Sequence, residues 1–138
     1  MTFHYLLMAN QAIYQRRLME VLKDTELTTG QPKVLDYLRD HDGATQKEIA
    51  AACYIEAATI TSVLNGMEAK GLIERKRMNG NMRSYHVFMT GKGQKLEQRV
   101  HEIFLKLEEE TFEGISQEKR KEFLELFSKI HRNIVPSK

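Results

Sequence analysis

Seven cations, Lys70, Arg75, Lys76, Arg77, Arg83, Lys92 and Lys95, fall within residues 70–95 against Glu74 alone. The flanking stretches are mildly acidic, −3 over residues 1–69 and −1 over residues 96–138, so a net charge of +2 hides one concentrated basic segment. Confined to one place, such a segment suits binding of a polyanion there. The plainer alternative is a solvated surface, and the surrounding elements decide between them.

Other chemistry fares poorly. The chain has no Gly-rich phosphate loop, Ser-His-Asp order, HExxH run or CxxC pair, so no enzyme is expected. Among the histidines, Glu97 and His101 share one helix face at i, i+4, and His41 ends another helix. That is too small a set for a zinc site, and no metal or cofactor is expected. The lone Cys53 sits in the apolar run Ile49–Ile55 and reads as a buried neutral thiol. One cysteine and no secretory signal point to a reducing, cytoplasmic setting. A seven-residue apolar run falls far short of the roughly 20 residues a bilayer span requires, so no membrane partner is expected.

The basic segment must be positioned by helices and a hairpin. With 138 residues, 41% hydrophobic and 29% charged, the chain suffices for one integrated domain. Apolar spacing predicts a helix over residues 3–23, capped by Thr2. A second follows from the Thr28–Gln31 capping-box spacing and Pro32 to Asp42-Gly43. Thr45-Gln46-Lys47-Glu48 is a cleaner capping box, opening a short helix through Cys53. Tyr54-Ile55-Glu56 is a turn, and a helix from Ala57 to Lys70 buries Ile60, Val63, Leu64 and Met67 before Gly71 closes it. Two helices around a short turn are a helix-turn-helix candidate. The period then changes: residues 72–77 and 84–89 are strands around Asn79-Gly80-Asn81, a hairpin signal. Thr90 caps a long helix that fades through Glu108-Glu109-Glu110, and Ser116 caps the last.

The fold predicted is mainly α with a small β-hairpin wing. Residues 27–95 form a winged helix-turn-helix lobe, flanked by an N-terminal helix (1–26) and C-terminal helices (96–138). A lobe of this size cannot bury every terminal stripe within one subunit. Phe3, Leu6, Leu7, Phe123, Phe127, Ile130 and Ile134 are therefore expected at a two-fold homodimer interface.

In that order, Leu27-Thr28-x-x-Gln31-x-x-Val34-Leu35, Thr45-x-x-Glu48-Ile49-Ala50, Thr59-Ile60-Thr61-x-Val63-Leu64-x-x-Met67-Glu68-x-x-Gly71-Leu72-Ile73-Glu74-Arg75 and Arg83-Ser84-Tyr85-x-Val87-x-Met89-Thr90-x-x-Gly93 resemble the MarR family of bacterial transcription regulators over nearly the whole chain. The resemblance implies a sequence-specific DNA-binding regulator, a ligand-responsive repressor acting as a homodimer on a pseudo-palindromic operator. It places Thr45 and Gln46 on phosphates. The recognition helix would offer Thr59, Thr61, Ser62 and Asn65 to base edges, with methyl contacts from Ala57 and Ala58. The wing would lay Arg83 along the minor groove, aided by Asn81, Ser84, Arg75 and Arg77. It also implies a cleft for a small aromatic or anionic effector, for which Met8, Ile13, Arg16, Arg17 and Tyr37 are candidates.

Two departures bear on this. The family's wing carries Asp-x-Arg, its Asp holding the Arg by a salt bridge, where this chain has Asn81-Met82-Arg83, which offers Arg83 a neutral hydrogen bond at best. The recognition helix opens Glu56-Ala57-Ala58, with Glu56 as a carboxylate cap and no cation until Lys70. Both favour modest affinity for a generic duplex. A winged-helix interaction module that has lost DNA binding is the alternative they permit.

Overall fold

The computed structural model of the chain describes residues 1–78 and 80–136, without the side chains of Asn81 and Met82. It contains α1 (Phe3–Val21), a 3-10 turn (Lys23–Thr25), α2 (Gln31–Leu38), α3 (Gln46–Cys53), α4 (Ala57–Ala69), β1 (Ile73–Met78), β2 (Asn81–Met89), α5 (Gly91–Thr111) and α6 (Gln117–Ile134). The residues gather into two compact units, 1–104 and 105–138.

Local chemistry explains most boundaries. Thr2 Oγ1 accepts from Tyr5 N–H at 3.1 Å to open α1. Ser116 does the same for Lys119 N–H at the start of α6. At α3 the full reciprocal box forms: Thr45 Oγ1 accepts from Glu48 N–H, and Glu48 Oε1 accepts from Thr45 N–H. Gly71, at φ +74°, follows α4 as predicted.

Two expected caps are corrected. At α2 the N-cap is Gly30, left-handed at φ +91°, and Gln31 is itself the first helical residue. Only half of the predicted box survives, Gln31 Oε1 accepting from Thr28 N–H at 3.0 Å. The buried Gln31 is instead a bridge. Its Oε1 also receives Lys70 Nζ at 2.8 Å and its Nε2 reaches the Val63 carbonyl at 3.5 Å. At α4, Glu56 occupies the N-cap but its carboxylate makes no capping bond. Its carbonyl alone receives the N–H groups of Thr59 and Ile60, both at 2.9 Å.

The core of the first unit lies under this helix-turn-helix. Val34, Leu35 and Leu38 from α2 are buried with Ile49 from α3, and with Ile60, Leu64 and Met67 from α4. Leu72, Ile73, Val87 and Val100 join them. The hairpin is antiparallel, registering Ile73 with Met89 and Arg77 with Tyr85, then breaking register between Arg77 and Met78. That irregularity starts β2 at Asn81, earlier than the predicted Ser84. Asn79, predicted in the turn, lies outside the described residues. The segment before α3 pairs with β2: Gly43 N–H donates to Val87 O at 2.7 Å and Val87 N–H to Ala44 O at 2.9 Å. Thus the wing is hydrogen-bonded to the start of the helix-turn-helix.

In the second unit, Phe123 packs edge-on to Phe112 with ring centroids 5.9 Å apart and stacks on Phe127 at 5.3 Å. Arg120 caps this cluster, over the Phe112 ring and 2.9 Å from Glu109.

Candidate nucleic-acid interface

The turn between α3 and α4 begins at Tyr54, which takes a left-handed backbone at φ 55° and ends α3. The two helix axes meet at 110°, within the range of helix-turn-helix units. The turn lets Ile49 and Ile60 share the core while the opposite side of α4 faces outward. On that side Ala57, Ala58, Thr59, Thr61, Ser62 and Asn65 are all exposed. Four buried apolar residues lie between and beyond them at helical spacing. The six recognition-helix candidates therefore occupy one outward side of one helix.

Two of them are tied to neighbours. Gln46 Nε2 donates to Thr61 Oγ1 at 2.9 Å, bringing together an expected phosphate contact on α3 and an expected base reader on α4. Arg75 NH2 donates to Asn65 Oδ1 at 2.6 Å, joining the wing strand to the recognition helix. Thr45 faces inward in chemical terms: its hydroxyl donates to Glu48 Oε1 at 2.8 Å and its N–H to the same oxygen. Those bonds, the hydroxyl first, hold the Glu48 carboxyl below its ordinary range.

Several cations of the basic segment are held by groups of the protein itself. Lys70 Nζ is bound to the Glu26 carbonyl and Gln31. Lys92 Nζ donates to the Lys70 carbonyl at 2.8 Å. The Arg75 side chain, only 16% exposed, is gripped by Glu68 through NH2 at 3.1 Å and Nε at 3.3 Å. Arg77, Arg83, Lys76 and Lys95 are exposed, with Lys76 Nζ 3.6 Å from Glu74. Arg77 lies over the Tyr85 ring, 4.8 Å from its centroid, and Lys76 over Phe88 at 5.5 Å. Ser84 is half-buried beside them on β2. The side chain of Asn81, also a candidate, lies outside the described residues.

Sequence reasoning missed Glu68. Its signal was available, an acidic residue one turn beyond Asn65 on α4 and seven residues before an arginine on the next strand. By charge alone Arg75 is one more outward wing cation; it is Glu68, brought against it by the folding of α4 on β1, that turns it inward.

The effector candidates are less gathered. Met8, Ile13, Arg16 and Arg17 are exposed along α1, while Tyr37 is half-buried and stacks on His41 at 4.2 Å. A pocket in the first unit is lined by Arg39, Asp40, Asp42, Met89, Gln94, Glu97 and Gln98, and a groove in the second runs along α6 beside Arg120, Leu124 and Arg132. Neither includes an effector candidate. Among the expected interface residues, Phe3, Leu6 and Leu7 are exposed in the first unit. Phe123, Phe127 and Ile134 are exposed in the second, with Ile130 half-buried.

No group of three or more His, Cys, Asp or Glu able to hold a metal occurs among the described residues. Nor is any single helix there long and apolar enough to cross a membrane.

Residues 27–85 match the family model described as the MarR family. The chain is 31% identical over 87 residues to the HTH-type transcriptional regulator TtmR of Methylorubrum extorquens (strain PA1), covering 63% of this chain but only 45% of that protein. It is 28% identical over 116 residues to the organic hydroperoxide resistance transcriptional regulator of Bacillus subtilis (strain 168), covering 82% and 79% of the two chains. Among solved structures, the S. aureus MepR–DNA complex superposes with a TM-score of 0.89 at 26% identity, covering 98% of this chain and 99% of that one. MepR in its DNA-binding conformation gives 0.88 at 25% identity, covering 98% and 100%.

Proposed function

We propose, from the premise that this chain belongs to the MarR family through residues 27–85, that it is a DNA-binding transcriptional regulator acting as a homodimeric, ligand-responsive repressor on a pseudo-palindromic operator. The observation that carries this reading is the outward side of α4. Six small or polar residues are exposed there, above four buried apolar ones, with a cationic wing strand hydrogen-bonded to them through Arg75 and Asn65. An α-helix so faced fits the major groove, and small side chains let it approach base edges closely.

In this mechanism α4 reads bases through Thr59, Thr61, Ser62 and Asn65, with Ala57 and Ala58 against thymine methyls. Gln46 contacts phosphate from α3. Arg77 and Arg83 follow the backbone or minor groove from the wing. Thr45 supports α3 rather than touching phosphate, because its donors are already engaged by Glu48. Arg75 likewise acts on DNA through Asn65.

The homodimer reading rests on the exposed aromatic and aliphatic residues of α1 and α6. Large apolar side chains such as Phe3 and Phe123, about half exposed in one chain, are stabilised when a second copy covers them. The MepR–DNA complex gives a relative of similar fold that binds DNA, which supports the same activity here. The effector is an anion or aromatic whose binding changes the spacing of the two lobes, with Arg16, Arg17 and Tyr37 as candidate contacts.

The test is binding to labelled duplex from immediately upstream of the protein's own gene, against a scrambled duplex, at two salt concentrations. Tight, salt-steep binding that prefers the upstream duplex is expected. Equal weak binding to both would favour an interaction module that no longer reads DNA.

A further inference from the structure

Resting on that DNA-reading role of α4, we propose that Asn65 is a specificity-determining residue that reads guanine, and that Arg75 is the positioning residue that denies it adenine. The argument begins with an assignment that chemistry makes unambiguous. Arginine carries donors only, so the Asn65 atom 2.6 Å from Arg75 NH2 is the carbonyl Oδ1. The guanidinium cannot swing away cheaply, since Glu68 holds it by NH2 and Nε and it is largely buried. Asn65 itself is exposed, one turn beyond Thr61 on the outward side of α4. What it offers outward is its Nδ2 amide, a pair of donors.

Adenine is read by asparagine through both ends of the amide, Oδ1 accepting from N6–H and Nδ2 donating to N7. Here Oδ1 already receives a charge-assisted bond. A second lone pair on that oxygen stays open, but the guanidinium behind it makes the spot electropositive. A base donor such as N6–H is repelled there, whereas a base acceptor is attracted. Guanine presents acceptors alone at N7 and O6 in the major groove. It therefore matches a donor-only amide backed by a cation. Thr61 adds to the same polarity, because its Oγ1 already accepts from Gln46 and its hydroxyl proton is the group left to give.

The experiment uses the full chain and a pool of duplexes with a randomised core of about 20 base pairs, long enough for two half-sites a helical turn apart. Sequences enriched by the wild type are then varied one base pair at a time against wild type, Asn65→Ala, Asn65→Asp and Arg75→Met. Asn65→Ala is expected to abolish a preference of about tenfold at one G·C pair in each half-site. Replacing that guanine by 7-deazaguanine should weaken the wild type and leave Asn65→Ala unchanged. Asn65→Asp keeps the bond to Arg75 and the fold but has no donor and sets an acceptor against the guanine acceptors, so it should lose the guanine preference at least as fully as Asn65→Ala. Arg75→Met should admit adenine at that same pair while the other positions keep their preferences.

The proposal is overturned if Asn65→Ala changes no position, or if the altered pair is A·T with a requirement for adenine N6 and N7. It is equally overturned if Arg75→Met weakens every position alike, which is what a purely structural arginine would do. Enrichment of no sequence at all would remove the regulator reading first, and this inference with it.

Discussion

Arg39 NH1 donates to both carboxylate oxygens of Glu97, at 2.9 and 3.2 Å, clamping the end of α2 to α5. Glu97 is 3% exposed and the arginine side chain 40% exposed, so the pair sits half in and half out of the protein. Removing the arginine strands a carboxylate in a site it cannot leave. Arg39→Ala is expected to lower stability, by less than the loss for a fully buried pair because water reaches the site. Urea unfolding monitored by circular dichroism measures it, and Glu97→Gln in the same background should restore part of the loss.

The capping box at Thr45 makes a prediction with a pH sign. Glu48 has its carboxyl held below the ordinary value of 4.5, first by the Thr45 hydroxyl and then by the Thr45 N–H. A depressed folded value means the stabilisation is present above the ordinary carboxylate range and is lost as pH falls through the lower, folded one. Thr45→Ala should therefore cost about 1 kcal/mol near neutral pH. The gap between variant and wild type should shrink as pH is lowered below 4.5. Thermal unfolding across that interval is the check.

Most of the fold was legible because its signals were local. Thr2, Thr45 and Ser116 each announce a helix start through a hydroxyl three residues before the N–H it caps, and the period change after Gly71 announces the wing. The errors arose where a residue's partner is distant in sequence. Gln31 carries a capping-box spacing, yet it is buried by contact with Val63 and Lys70, more than 30 positions away. Arg75 reads as one more wing cation until α4 and β1 fold together and Glu68 meets it. The site divided along the same line. Exposure of Thr59, Thr61, Ser62 and Asn65 follows from helical period alone, whereas the hydrogen bonds that polarise Thr61 and Asn65 are tertiary. The effector cleft had no pattern of its own in the sequence, only the family's precedent.

Gly93, in the first turn of α5, lies against the backbone of Leu72, and a Cβ built on it would collide with the Leu72 carbonyl oxygen. That oxygen also receives Thr90 N–H at 3.0 Å, so it is fixed in place. Backbone gives way less readily than a flexible side chain. Gly93→Ala should destabilise by about 2 kcal/mol, although alanine is the better helix former. A thermal midpoint above that of the wild type would refute the close approach.

Cys53 is buried, its Sγ 3.6 Å from the Lys33 carbonyl, and burial pushes the thiol above its ordinary value of 9.0. A neutral, covered thiol is a poor nucleophile. Iodoacetamide at neutral pH should label it only after unfolding. Adding an organic hydroperoxide to the protein–duplex complex should leave binding unchanged. Release of the duplex by hydroperoxide, absent in Cys53→Ser, would make this cysteine a sensor after all.

The wing arginines should separate by their salt dependence. Phosphate contacts release counterions, so affinity for a duplex falls as salt rises, with a slope set by how many cations neutralise phosphates. Arg77 is exposed over Tyr85 and Arg83 is exposed on β2; the Arg75 side chain is largely covered and paired with Glu68. A dimer making about six such contacts should lose on the order of 10³-fold in affinity between about 50 and 200 mM salt. Arg77→Ala should make that slope shallower by about one contact per subunit, and Arg83→Glu by more, with affinity falling uniformly across duplex sequences. Arg75→Met should alter which bases are preferred and leave the slope nearly as it was. Fluorescence anisotropy titrations over a salt series distinguish the three. If Arg75→Met flattened the slope as much as Arg77→Ala, the guanidinium would have left Glu68 for the phosphate backbone on binding, and the strut from β1 to α4 would be a contact of the free protein alone.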